Sequence, residues 1–144
     1  MRKYVLLLIV IVAAVFFISF KPNRYSKVKP EGGEVKFAIK KLRDGRPHYY
    51  KIELNGKDIK FFILMDNGGV VRAAFDACDV CYPEQKGYRQ EGDFMICNNC
   101  GQQFHESKIN IIKGGCNPAP VDRIFDQNNI YIAIDSLSEG GSYF

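Results

Sequence analysis

The stretch that decides the fold is residues 77–118, ACDVCYPEQKGYRQEGDFMICNNCGQQFHESKINIIKGGCNP, which contains every cysteine of the chain. The cysteines follow the spacing C-x2-C-x15-C-x2-C-x15-C, at Cys78, Cys81, Cys97, Cys100 and Cys116. Each C-x-x-C pair can form a tight turn, and a hairpin-sized insert can close the loop between the pairs. This spacing predicts a tetrahedral metal site made from the four paired cysteines.

Glycines accompany two of the cysteines. Gly101 follows Cys100, where a knuckle that turns backbone N–H groups towards sulfur needs a residue with positive φ. Gly114 and Gly115 precede Cys116 and allow a sharp turn with close approach of the backbone to an ion. Three interpretations of Cys116 stay open: a metal ligand, a neighbour that tunes the metal site, or a buried thiol.

Thiolate ligands alone do not identify the metal. Zinc and iron both accept thiolates in a tetrahedron. A c-type haem is disfavoured, because its C-x-x-C-H motif needs histidine where Tyr82 and Gly101 stand. Two disulfides are the competing interpretation in an oxidising compartment, but C-x-x-C disulfides are usually strained and catalytic. The sequence therefore favours a metal over disulfides.

Four other polar residues could be taken for ligands, and each has a simpler interpretation. His105 could ligate through an imidazole nitrogen, but a hydrogen-bonding role is favoured. His48 belongs to a predicted strand and is interpreted as structural. Asp76 and Asp79 flank the first cysteine and are interpreted as turn hydrogen-bonding residues. No Ser-His-Asp arrangement, phosphate-binding loop or spaced carboxylate pair supports a hydrolase or a kinase.

An apolar segment precedes the domain. Residues 4–20, YVLLLIVIVAAVFFISF, carry no charge and would reach about 25 Å as a helix. They predict one N-terminal transmembrane helix. A cleaved signal peptide is the alternative, disfavoured because the run exceeds the usual apolar region and no A-x-A-like site precedes Lys21. We expect a single-pass protein of the cytoplasmic membrane with its domain on the extracytoplasmic side, although the positive-inside rule alone does not favour this orientation.

The chain divides into residues 1–20 (anchor or signal), 21–33 (a polar linker with Pro and Gly) and 34–144 (a cysteine-rich metal-binding domain). The domain is predicted to be small, single and mainly β, with zinc-ribbon-like double C-x-x-C knuckles. Alternating and apolar runs predict strands at residues 34–39, 49–54, 58–65, 70–75, 109–112 and 130–134, and a short hairpin within 87–96. A frayed tail is expected after residue 134.

The net charge of +4 is modest, and much of it follows the apolar segment. We interpret it as membrane-proximal, because no basic stripe interleaved with aromatic residues occurs elsewhere. A nucleic-acid partner is therefore not expected.

Four sequence blocks carry a resemblance: VRAAFDACDVCY at 71–82, GYRQEG at 87–92, ICNNCG at 96–101 and GGCNP at 114–118. In these blocks the chain resembles the FtrD-like membrane iron–sulfur protein family, over about residues 34–134. The resemblance implies a membrane-associated module with an iron or iron–sulfur cofactor, outside the cytoplasmic membrane. It also implies that the protein acts beside a high-affinity iron-uptake system, with a membrane iron permease or a redox protein as its partner.

The sequence hypothesis is thus a membrane-anchored protein with a cysteine-ligated metal centre, active in electron transfer or iron handling and not expected to be an enzyme. The alternative is a zinc-ribbon-like structural or interaction module. A thiol–disulfide oxidoreductase is less favoured, because its C-x-x-C normally begins a helix in a βαβ unit, and neither pair here has that context.

Overall fold

The computed structural model describes residues 23–144. The transmembrane helix expected at residues 4–20 lies outside the described residues. Within the described part of the chain, no helix is long and apolar enough to span a bilayer. The described residues form a small, mainly β domain, which confirms the mainly β prediction.

The described residues contain ten strands. In chain order these are β1 (Ser26–Lys27), β2 (Glu34–Ala38), β3 (His48–Leu54), β4 (Lys57–Met65), β5 (Val71–Phe75), β6 (Tyr88–Glu91), β7 (Phe94–Cys97), β8 (Gln103–His105), β9 (Ile124–Phe125) and β10 (Asn129–Ala133). They form a four-stranded sheet in the order β1-β3-β4-β5 and two three-stranded sheets, β2-β10-β9 and β6-β7-β8. β3 and β4 are joined by Asn55-Gly56, and both residues have the positive φ that this hairpin turn requires.

β4 is the central strand, as its apolar second half predicts. Successive side chains of a strand point to opposite faces, and those of β4 alternate between two hydrophobic cores. Phe61 and Ile63 pack in the first core with residues of β2 and β10. Phe62 and Leu64 pack in the second core with residues of β6 and β7. β4 therefore stands between two small sheets. The second core includes Cys78 and Cys97, and Cys81 and Cys116 pack against it.

Residues 109–112 do not form the predicted strand. Asn110 has a φ of 67°, a left-handed conformation that interrupts an extended run. Its side-chain amide instead accepts a hydrogen bond from the Ala73 N–H at 2.9 Å and donates one to the Ala73 carbonyl at 2.6 Å. The amide thus takes the place of a neighbouring strand at the edge of β5.

The tail after β10 is ordered, contrary to the expectation of a frayed end. It folds as α1 (Ile134–Ser138) and a 3-10 turn (Glu139–Ser142). Leu137 is fully buried in the first core, and burial of a leucine side chain contributes about 1.5–3 kcal/mol. Part of the predicted linker is also in the sheet, because β1 pairs in parallel with β3, Ser26 opposite Tyr50.

Candidate metal centre

Three separate segments bring the five cysteines together. The first pair follows β5, the second pair begins at the last residue of β7, and Cys116 lies in the loop before β9. This loop continues alongside the first pair: the Ala119 N–H donates to the Ala77 carbonyl at 3.0 Å, and the Phe75 N–H donates to the Ala119 carbonyl at 2.7 Å. The backbone pairing sets Cys116 beside the first pair.

The sulfur atoms form two groups of three, and within each group all the sulfurs lie within 4.8 Å of one another. We call Cys78, Cys81 and Cys97 the inner triad, and Cys81, Cys100 and Cys116 the outer triad. Cys81 belongs to both, and its Sγ lies 3.8 Å from the Sγ of Cys116. Two thiolates about 2.3 Å from one tetrahedral ion would lie about 3.8 Å apart. The observed spacing of these two sulfurs therefore suits a bound metal. All five cysteines are free thiols and are available as ligands.

The second pair forms the knuckle that the sequence predicts. Gly101 has a φ of 75°, and its N–H donates to the Cys97 carbonyl at 2.9 Å. The Cys97 N–H in turn donates to the Gln102 carbonyl at 2.9 Å. These bonds close a tight turn between the end of β7 and the start of β8.

The first pair is less regular, as the absence of a following glycine suggests. The Cys81 N–H donates to the Cys78 sulfur at 3.2 Å, so one backbone group points at a sulfur here. A 3-10 turn (Tyr82–Glu84) follows and ends at Gln85, which has a left-handed φ of 52°. Within residues 23–144 neither C-x-x-C pair begins an α-helix, the arrangement that is usual in thiol–disulfide oxidoreductases.

The inner triad is more enclosed than the outer triad. Cys78 and Cys97 are buried, whereas Cys100 is exposed.

Burial raises the pKa of the Cys97 thiol to about 11, and it also raises the pKa of Cys116. The backbone N–H of Gln102 lowers the pKa of Cys100. A bound metal replaces the thiol protons, so metal binding to this set would release protons.

A small cavity of about 10 Å³ lies against the inner triad. All three of its cysteines line the cavity, together with Asp76, Gly87 and Tyr88. A space of this size holds about one water-sized body. The inner triad therefore has room for one small ion.

A buried polar network lies behind the cysteines, and Asp76 is its centre. The Asp76 carboxylate pairs with the Arg24 guanidinium and accepts hydrogen bonds from the Tyr25 hydroxyl at 2.5 Å and the Tyr88 N–H at 2.7 Å. Arg24 also lies over the Tyr49 ring, 4.0 Å from its centroid. Burial raises the pKa of Asp76, and the Arg24 charge acts in the opposite direction. The sequence interpretation of Asp76 as a turn residue missed this network, since its partner is 52 residues away.

The other polar candidates have structural roles. The Ser107 N–H donates to the Nδ1 atom of His105 at 3.2 Å, so His105 caps a 3-10 turn. Asp79 accepts a hydrogen bond from the Tyr143 hydroxyl at 2.6 Å. His48 lies in β3 and hydrogen-bonds to an aspartate in the preceding turn. None of these three residues belongs to a cysteine triad in the described chain.

Fold and site together define a class: a small β domain whose clustered cysteines could hold a metal ion. The chain belongs to the FtrD-like family, since the family model described as "Membrane iron-sulfur containing protein FtrD-like" matches residues 42–144. The match includes all five cysteines and confirms the family indicated by the sequence blocks. Searches of curated proteins and of solved structures gave no match. The family description supports an association with membranes and with iron–sulfur chemistry.

Proposed function

We propose that the five cysteines bind iron, as a thiolate-bound ion or an iron–sulfur cluster. We further propose that the protein transfers electrons or handles iron beside a membrane iron-uptake system. The observation that carries the proposal is the meeting of five thiols from three chain segments in two triads that share Cys81. Clustered thiolates are the usual ligands of iron–sulfur centres. In this proposal the protein is an electron carrier or metal-binding accessory protein, not an enzyme.

The different surroundings of the cysteines suit electron transfer. The buried sulfurs of Cys78 and Cys97 would shield a bound centre from water, and solvent exposure is one determinant of a redox potential. The exposed Cys100 would bring one ligand to the surface, where a redox partner can approach it. Iron, when bound, supplies the one-electron step, while the chain holds and orients the sulfur atoms.

The proposal places the domain on the extracytoplasmic side of the cytoplasmic membrane, held by one transmembrane segment. The uncharged residues 4–20 and the family description support membrane attachment. Free thiols tend to form disulfides outside the cytoplasm, so a bound metal would also protect these cysteines. The partner would be a membrane iron permease or a redox protein. Carbonate extraction tests the anchor: the full-length chain should stay in the membrane, and a soluble product shortened by about twenty residues would contradict it.

Metal analysis and an absorption spectrum of the full-length protein, purified without oxygen, test the cofactor. Iron bound by thiolates should give visible charge-transfer bands that bleach on reduction. Zinc has a filled d shell and would give neither colour nor redox response. A colourless, natively folded protein with one equivalent of zinc and no iron would reject the proposal.

A zinc-ribbon-like structural or interaction module is the second candidate, and one distance favours it. The separation of 3.8 Å between the Cys81 and Cys116 sulfurs is the spacing of two thiolates that each lie about 2.3 Å from a single tetrahedral zinc ion. Zinc would then stabilise the fold without redox chemistry. The same metal analysis separates the two candidates.

A further inference from the structure

The sulfur atoms are gathered as two overlapping triads, not as one group of four in which every pair lies within 4.8 Å. We propose that the outer triad of Cys81, Cys100 and Cys116 is a second, exchangeable site for a thiophilic divalent ion. Its bridge to the inner site is the shared sulfur of Cys81. This inference rests on one form of the proposed function, in which the inner triad holds a thiolate-bound iron ion, because an iron–sulfur cluster would use the cysteines of both triads.

The coordination arithmetic supports two ions. One tetrahedral ion would take four thiolates and leave the fifth cysteine without a role. Two ions that share Cys81 would use all five sulfurs, and each ion would have three thiolate ligands. A thiolate has enough lone pairs to bind two ions at once. Each ion would then keep one open coordination position, which is the arrangement of zinc sites that bind a water or a substrate.

The surroundings of the triads assign different roles to the two ions. The inner triad adjoins a cavity of about 10 Å³, and two of its cysteines, Cys78 and Cys97, are 1% and 2% exposed. An ion held there would have two ligands that solvent scarcely reaches. In the outer triad Cys100 is exposed and the other two cysteines are half-buried. The open position of the outer ion therefore faces solvent, from which an ion can arrive and to which it can leave.

The loop that contains Cys116 places the sulfur of this residue at the outer triad. Gly114 and Gly115 have left-handed φ values of 88° and 62° and turn the chain before Cys116. The Tyr88 hydroxyl then donates to the Cys116 carbonyl at 2.6 Å. On the other side, the backbone N–H and the side-chain amide of Asn117 donate to the Gly114 carbonyl, at 3.3 Å and 3.1 Å. These bonds hold the Cys116 sulfur near that of Cys81 without requiring a bound ion.

An anaerobic Co²⁺ titration of the full-length, metal-free protein in detergent tests the second site. Cobalt is the probe because tetrahedral thiolate-bound Co²⁺ has intense visible bands. We expect two equivalents to bind to the wild-type protein, and the electron paramagnetic resonance signal per ion to fall as the second binds, because a thiolate bridge couples the two spins. Cys116→Ser and Cys100→Ser should each bind one equivalent, with no coupling.

Cys97→Ser is the matched control in the inner triad. This variant should lose the inner ion, and a chelator should remove the remaining outer ion quickly. Circular dichroism of each variant verifies the fold, and Cys116→Ala repeats the test without a replacement oxygen ligand. One equivalent in the wild type, unchanged in Cys116→Ser, would overturn the second site. Inorganic sulfide equal to iron in the anaerobically purified protein would also overturn it, because a single cluster would then use the cysteines.

Failure of this inference and failure of the proposed function give different results. An iron-containing protein that binds a single Co²⁺ after metal removal would keep the proposed function and reject the outer site. A zinc-containing protein without iron that binds two coupled Co²⁺ ions would reject the iron function and support the outer site.

Discussion

The hydroxyl group of Tyr88 donates a hydrogen bond to the backbone carbonyl of Cys116, with 2.6 Å between the two oxygens. Tyr88 lies in β6 and is 1% exposed, so the bond joins a packed strand to the loop of the fifth cysteine. The backbone N–H of the same tyrosine donates to Asp76. One residue therefore connects the Cys116 loop to the buried network behind the cysteines.

We expect Tyr88→Phe to keep the packed ring and to release the Cys116 loop. Loss of this hydrogen bond should lower the free energy of unfolding by about 1 kcal/mol. Hydrogen exchange at residues 113–117 should become faster while exchange in β4 stays unchanged. Tyr131→Phe is the control, because it removes a surface hydrogen bond to Asp126. Unchanged exchange in Tyr88→Phe would show that the hydroxyl does not hold the loop.

Gly87 and Gly92 provide a matched pair for testing the crowding at Asp76. Both have left-handed φ values, 63° and 57°, so alanine should cost a similar conformational energy of roughly 1–2 kcal/mol at each. A Cβ at Gly87 would also overlap the Asp76 carboxylate, whereas one at Gly92 would meet nothing within 4 Å. Gly87→Ala should therefore be less stable than Gly92→Ala by about 1–3 kcal/mol. Thermal unfolding measures the difference, and equal losses would contradict it.

Arg24 compensates a buried charge. Its side chain is 33% exposed, but that of Asp76 is fully buried. Arg24→Ala would leave the Asp76 carboxylate without its cation and should cost about 2 kcal/mol in denaturant unfolding. Arg43→Ala is the control, because Arg43 is an exposed arginine. Equal stabilities of the two variants would show that Arg24 is not needed to stabilise Asp76.

Asp66 and Arg72 form a buried ion pair, with 2.8 Å between the Arg72 Nη2 and an Asp66 oxygen. Burial acts to raise the pKa of Asp66, but hydrogen bonds from the Val70 N–H and from Arg72 outweigh it, and the pKa is lowered. A carboxyl group with a lowered folded pKa contributes stability above its unfolded pKa of about 3.9. That contribution is lost as the pH falls through the folded pKa.

Asp66→Asn should therefore cost about 3 kcal/mol at pH 7, and the difference from the wild type should shrink as the pH falls below about 4. Asp58→Asn is the control, because its ion pair with Lys51 is more exposed and should contribute far less. Urea unfolding across this pH range measures both. A difference that does not depend on pH would contradict the assignment of the acid-sensitive charge to Asp66.

Local preferences account for most of what the sequence could predict. The Asn55-Gly56 turn and the knuckle at Gly101 depend on residues whose own conformational freedom identifies them. Alternating or apolar runs place the longer strands, because the side chains that a strand buries recur with a regular period along the sequence. The five-residue helix around Leu137 was missed, because so short a segment does not show a helical period.

Other features depend on contacts between distant segments and could not be read from spacing. The spacing separates Cys116 from the paired cysteines, whereas the bond between the Ala119 N–H and the Ala77 carbonyl brings it beside Cys81. The partner of Asp76 likewise lies far along the chain. The division of the sulfurs into two triads is therefore a property of the tertiary fold.

The docking of Arg24 on Asp76 limits how far the domain can stand from the apolar segment. Only three residues separate Phe20 from Arg24, and four steps of extended chain cover at most about 14 Å. If the apolar segment is a retained membrane anchor, almost no flexible linker would separate it from the domain. The domain would then be held close to the membrane surface.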